Sequence, residues 1–169
     1  VGYSGPRARD LDNLRELYRS IWTATYLPTL GPAVVATLIA GVEASDLKHL
    51  LPDSNRYSAI STLDEQPVGT VCISVTDKTA MLSAMYIHQR YQRRGIGTAL
   101  LRYLVEKLRD SGRLEALVLE STAAALRFYD RMGFCEIDRR SADAVRGQSA
   151  RFVMLSIPLA DLRARFSAT

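Results

Sequence analysis

Met85-Tyr86-Ile87-His88-Gln89-Arg90-Tyr91-Gln92-Arg93-Arg94-Gly95-Ile96-Gly97-Thr98 is the stretch on which the fold turns, because it joins a strand-like run to the most periodic segment of the chain. Downstream of it, Ile96, Leu100, Leu104 and Leu108, flanked by Leu101 and Val105, recur at helical spacing, with a stop expected at Ser111-Gly112. A helix start carrying two glycines suits an anion. Its first N–H groups have no intrahelical acceptor, the helix dipole adds positive potential, and Gly95 and Gly97 allow close approach to the main chain. Arg90, Arg93 and Arg94 add full charges.

Working outward from this junction, Leu114–Glu120 reads as a buried strand and Thr122 as the N-cap of a helix carrying Ala125, Leu126, Tyr129 and Met132 on one side. Gly133 followed by Phe134 is a helix stop with its hydrophobic contact. Two strands, about Cys135–Ser141 and Ser149–Ile157, close the chain. Upstream, Tyr57–Leu63 and Val68–Val75 alternate around the turn-rich Asp64-Glu65-Gln66-Pro67, and a third strand over Thr79–His88 follows. Before them, Leu11, Leu14, Leu17, Tyr18 and Ile21 mark a helix over Asp10–Ala24, with a short strand ahead of it. After a turn at Pro28–Pro32 a second helix ends near Gly41. Helices, a meander and then β-α-β-α-β-β predict an α/β chain of the α+β type, a mixed sheet with helices on both faces.

Composition narrows the function classes. The chain has 169 residues, 47% hydrophobic and 24% charged, with 22 Lys+Arg against 18 Asp+Glu. One domain over 1–169 is expected, since about 150 residues suffice to bury a stable core without disulfides or metal. Setting aside Arg90, Arg93 and Arg94 leaves 19 basic against 18 acidic residues, so the excess charge is local and argues against a nucleic-acid footprint. Ser20–Val42 is free of charge and matches the ~20 residues needed to span a bilayer, but Pro28, Gly31 and Pro32 interrupt it. The first twenty residues carry seven charges and no apolar block, so a soluble, cytoplasmic protein without a membrane role is expected. Cys72 and Cys135 read as two buried free thiols, and His49 and His88 suggest no metal site.

The phosphate ligand can be narrowed too. A Walker loop requires Lys-Ser/Thr after its last glycine, where Ile96 and then Gly97-Thr98 stand. A dinucleotide fingerprint calls for a third glycine where Leu100 stands, and although Glu115 falls near the ribose-binding spacing, no second βαβαβ half follows. Gln92-Arg93-Arg94-Gly95-Ile96-Gly97 instead resembles the (Gln/Arg)-x-x-Gly-x-(Gly/Ala) coenzyme A motif of the GNAT N-acetyltransferases. Met85-Tyr86-Ile87 is similar to that family's splayed central strand, and Ala125–Phe134, with Phe128-Tyr129 and Gly133-Phe134, resembles its second signature.

The resemblance implies the GNAT acyl-CoA N-acyltransferase fold, a mixed, mostly antiparallel sheet of six to seven strands with about four helices and splayed central parallel strands. It implies a cofactor half at about 79–134 and N-terminal helices at about 10–42 shaping the acceptor site. Acetyl-CoA would be the cosubstrate, with no metal. Its pyrophosphate would lie on the amides of Arg93, Arg94, Gly95, Ile96, Gly97 and Thr98, with Gln92 opening the motif, and its pantetheine arm along Met85, Tyr86 and Ile87. The Ile87 N–H would polarise the thioester carbonyl, and Tyr129 would protonate the leaving thiolate. Thr122 stands where the family often has a cofactor-contacting asparagine. Glu120 is a candidate base through water, or a solvated strand-end carboxylate. Trp22 and Tyr26 are candidate acceptor-site residues or core packing, with Glu43 and Asp46 as nearby acids.

The function expected on these grounds is acetyl transfer to the primary amine of a small molecule or protein. A catalytically weak acyl-CoA sensor is the alternative, and a nucleic-acid stripe at Arg90, Tyr91, Arg93 and Arg94 a third reading. Residues after Pro158, with Leu159, Leu162 and Phe166, could dock on the domain, pair two subunits in a homodimer or stay loose.

Overall fold

The computed structural model describes residues 1–108, 112–145 and 147–168. Seven strands, β1 (Gly2–Ser4), β2 (Arg56–Leu63), β3 (Gln66–Thr76), β4 (Thr79–Ile87), β5 (Arg113–Leu119), β6 (Cys135–Val145) and β7 (Gln148–Pro158), form one sheet in the order β1-β2-β3-β4-β5-β7-β6. Among the described residues only β4 and β5 run parallel. Four α-helices accompany it, α1 (Leu11–Ala44), α2 (Ile96–Val105), α3 (Ala123–Arg131) and α4 (Leu159–Ser167). Leu100, Leu101 and Leu104 of α2, Tyr129 of α3, and Leu159, Leu162 and Phe166 of α4 share one apolar core. Leu14, Leu17, Tyr18, Ile21 and Val42 of α1 build a second with Ile60. The tail after Pro158 therefore docks on its own domain.

The β2–β3 loop is two residues, not the four that the turn-rich composition suggests. Asp64 (φ 49°) and Glu65 (φ 63°) both take left-handed conformations, the requirement of a type I′ hairpin. Gln66 and Pro67 belong to β3, where the missing donor of Pro67 sits beside a register irregularity at Ser61/Thr62.

The N-terminal helix is also longer than its periodicity indicates. It runs from Leu11 to Ala44 with a single break at Gly31 (φ 78°, ψ 168°), a conformation open essentially to glycine alone. Pro28 lies within the first half and Pro32 opens the second, where a missing N–H costs nothing. The charge-free Ser20–Val42 stretch is thus a bent helix with Ile21, Val34, Val35 and Val42 buried.

Helix α2 ends at Val105, with Leu108 buried just beyond, and the expected stop at Ser111 lies outside the described residues. Cys72 is buried but Cys135 is exposed, correcting the expectation of two buried thiols, because Cys135 opens the edge strand β6.

Candidate active site

The parallel ladder between β4 and β5 runs only from Thr79↔Arg113 to Leu82↔Ala116. At the next residue β4 carries a bulge. Against β3, Leu82 pairs with Ile73 and Ala84 with Cys72, which leaves Ser83 as the extra residue, its Oγ donating to the Cys72 carbonyl at 3.2 Å. A bulge bends and twists its strand, so β4 turns away from β5 where the ladder stops.

The register fixes which main-chain groups face the resulting gap. His88 N–H donates to the Val68 carbonyl at 2.9 Å, and Ile87 stands opposite Gly69. Antiparallel ladders bond at alternate residues, so His88, Tyr86 and Ala84 bond to β3 while Ile87 and Met85 direct N–H and C=O away from it. On β5 the Glu120 N–H donates to the Arg151 carbonyl at 2.9 Å, which by the same alternation turns Leu117 and Leu119 toward the gap. Leu117 is 40% exposed there.

A cavity of about 670 Å³ occupies the splay. One end is the start of α2. Arg93 (φ 60°) and Gly95 (φ 78°) turn the chain, and Ala99 N–H closes the first helical turn on the Gly95 carbonyl at 3.0 Å, so the amides before Ala99 lack intrahelical acceptors. Gln92, Arg93, Gly95, Gly97 and Thr98 line the cavity. Gln92 Nε2 donates to the Ile87 carbonyl at 3.0 Å and ties this loop to the end of β4. A Cβ on Gly97 would lie 3.4 Å from Met85 Cε and 3.5 Å from Phe128 Cε2, so β4, α2 and α3 converge at that residue. Ile96 is buried in the core and Arg94 lies over the Tyr91 ring at 5.6 Å; neither side chain lines the cavity.

Tyr129 also lines the cavity and is 5% exposed. Helix α3 ends in a Schellman motif, with Phe134 N–H on the Tyr129 carbonyl (3.0 Å) and Gly133 N–H on the Asp130 carbonyl (2.9 Å). The accompanying hydrophobic contact is the Tyr129–Phe134 ring pair at 5.1 Å, and Phe128 packs on the other side at 5.3 Å. Burial, reinforced by Tyr86, pushes the Tyr129 phenol above its ordinary value, so it holds its proton. Thr122 stands at the N-cap and lines the cavity, but only its carbonyl caps the helix, accepting from Ala125 and Leu126; its side chain makes no capping bond.

On the α1 side, Ile21, Thr25 and Tyr26 line the cavity with Tyr86. Burial and then Tyr86 push the Tyr26 phenol up, with Tyr129 contributing, so three phenols share this end of the space. Trp22 is absent from the lining; it packs edge-on against Tyr18 and Tyr86 at 5.3 and 6.2 Å, and its core-packing reading is the one that fits.

Glu120 lies outside the lining, bonded to Arg139 and, at 3.0 Å, to Arg151. Two guanidiniums compensate its charge. Glu43 pairs with Arg19 at 2.6 Å and Asp46 with Lys48 at 3.3 Å, and neither reaches the cavity. His88 Nδ1 accepts from the Arg90 N–H at 3.3 Å, and its pKa is lowered by burial and by Arg90. Residues the sequence did not assign to the site include Ser83, Leu117, Leu119 and Arg131. Leu117 and Leu119 carried a signal, sitting in an apolar run too ordinary to single out.

These features fit coenzyme A: main-chain groups at a strand edge for an amide-bearing arm, and a glycine-opened helix start beside Arg93 for its pyrophosphate.

The model of the Acetyltransferase (GNAT) family matches residues 11–134. No curated protein matches the chain. Among solved structures, the ribosomal-protein-S18-alanine N-acetyltransferase from Escherichia coli superposes with a TM-score of 0.68 at 20% identity, covering 94% of this chain and 93% of that one. The paia N-acetyltransferase from Thermoplasma acidophilum in complex with coenzyme A gives 0.70 at 18% identity, covering 93% and 98%. Arabidopsis thaliana NAA60 in complex with a bisubstrate analogue gives 0.65 at 17% identity, covering 93% and 97%. With the family model spanning most of its length and the fold shared from end to end, this chain belongs to the GNAT acetyltransferase family.

Proposed function

We propose that the protein is an acetyl-CoA-dependent N-acetyltransferase that acetylates a primary amine by direct transfer. The observation that carries this reading is the convergence of three features on one cavity: the main-chain edge at Met85 and Ile87 that faces away from β3, the glycine-opened start of α2, and the buried phenol of Tyr129. Acetyl-CoA brings an acyl group activated as a thioester. The amides from Arg93 to Thr98 would hold its pyrophosphate, and the edge of β4 its amide-bearing arm. Ile87 N–H would donate to the thioester oxygen as negative charge develops there. Tyr129 would supply a proton to the departing sulfur. A phenol of ordinary pKa about 10 is matched to a thiol near 8.5 closely enough to do so when burial disfavours charge on either atom.

Calorimetric titration with acetyl-CoA, with NADH as control, tests the cofactor assignment. Selective binding of acetyl-CoA, weakened in an Arg93→Ala/Arg94→Ala double variant, is expected, followed by CoA release in a screen of amines. Absence of acetyl-CoA binding refutes the assignment, and binding without turnover of any amine points to an acyl-CoA sensor.

A further inference from the structure

Accepting the acetyltransferase reading, we infer that the acceptor is a primary amine on an apolar or aromatic body, taken up in its uncharged form, and not a polyamine or a lysine-rich chain. Among the described residues, the cavity lining contains no Asp, Glu or His, and its only charged members are Arg93 and Arg131. The acids flanking it are engaged elsewhere and stay out of the lining: Glu16 and Glu43 share Arg19, and Glu120 pairs with Arg139 and Arg151. An ammonium entering beside Ile21, Thr25 and Tyr26 would be desolvated without a counter-ion, whereas a neutral amine avoids that cost.

The walls suit an apolar body. Ile21, Thr25 and Tyr26 of α1 face the space with Tyr86, Leu117 and Leu119, and Ser20–Val42 brings no charge to its rim. The flat faces of Tyr26 and Tyr86 provide apolar area, and their hydroxyls can accept the N–H bonds of the amine.

This chemistry also removes the need for a strong base. The neutral nitrogen attacks the acyl carbon, the N–C bond forms and the C–S bond breaks. The nitrogen then gives up one proton to solvent through the neighbouring hydroxyls, and the sulfur takes one from Tyr129, which solvent restores.

The test compares CoA release with 2-phenylethylamine, hexylamine, spermidine and a lysine-containing peptide at neutral pH, in the unaltered protein and in Thr25→Asp. For the unaltered protein, kcat/KM for 2-phenylethylamine should exceed that for spermidine by about 100-fold. Thr25→Asp, which places a carboxylate in the lining, should shrink that ratio by about tenfold or more. The uncharged Thr25→Asn should leave the ratio in place, which separates charge from a folding defect. Equal or faster turnover of spermidine or the peptide overturns the acceptor assignment while leaving acetyl transfer standing, as does a ratio unmoved in Thr25→Asp. Failure to bind acetyl-CoA overturns both, and binding with no turnover of any of the four overturns the acceptor assignment alone.

Discussion

At Tyr129 the ring and the hydroxyl have separable tasks. The ring sits between Phe128 and Phe134 and helps close the end of α3, while the hydroxyl borders the cavity. Tyr129→Phe keeps the first and removes the second, so kcat should fall by about 100-fold. Calorimetric affinity for acetyl-CoA should stay within about twofold, since Phe preserves the apolar wall; a comparable loss of affinity would show that the hydroxyl binds and does not act as an acid. Gly133 tests the same helix end from the stability side. Its φ of 87° is left-handed and a Cβ there would meet the Arg165 guanidinium at 2.5 Å, so Gly133→Ala should cost about 1–2 kcal/mol in denaturant unfolding. Both residues were legible in the sequence, because a helix stop and its hydrophobic contact are local, spaced features. Glu120 was not: the residues that neutralise it, Arg139 and Arg151, arrive from β6 and β7, and no local pattern announces them.

Among the elements, α1 carries the acceptor side and Gly31 sets its bend. Nothing lies within 4 Å of a Cβ placed on Gly31, so Gly31→Ala acts on the backbone alone. Its φ of 78° with ψ of 168° is costly for alanine, about 1–3 kcal/mol, and the elbow should straighten toward continuous helix. Thr25 and Tyr26 would then move relative to Tyr129, so KM for the acceptor should rise several-fold while acetyl-CoA affinity, set by β4 and α2, holds. Equal changes in both constants, measured by initial rates and calorimetry, would place the elbow outside the acceptor site. The proline–glycine cluster did reveal a break here, but not that one residue makes it, since a proline inside a helix and one opening a helix read alike in sequence. The bulge at Ser83 gave no signal at all. Its existence depends on how two strands pair, and it is what opens the splay.

For the molecule as a whole, strand number, the parallel step from β4 to β5 and the helices on both faces follow from periodicity and connection length. The insertion of β7 between β5 and β6, and the docking of α4 under β7, rest on contacts between distant segments. The two cores around this sheet hold buried phenols, and they give the fold a definite response to alkali. Tyr18 and Tyr129 are each pushed above the ordinary phenol value, with burial as the largest cause in both, and Tyr26 shifts in the same direction. In the unfolded chain all three titrate near pH 10. Below that pH both states hold these protons and the tyrosines contribute no slope. Above it the unfolded chain has released protons that the folded chain keeps, so folding binds protons and stability falls as pH rises. The slope is about 1.4 kcal/mol per pH unit for each phenol, or about 3 kcal/mol for Tyr18 and Tyr129 together. Urea unfolding at a series of pH values from 9 to 11, with phenolate absorbance recorded alongside, reads both quantities. Phenolate from Tyr18 and Tyr129 should appear only with unfolding, and Tyr129→Phe should flatten the stability slope by about one proton's worth. Release of every phenolic proton from the folded protein near pH 10, with no loss of stability, would mean that these hydroxyls are open to water and that the α1 side of the cavity is not the low-dielectric space from which an ammonium is excluded.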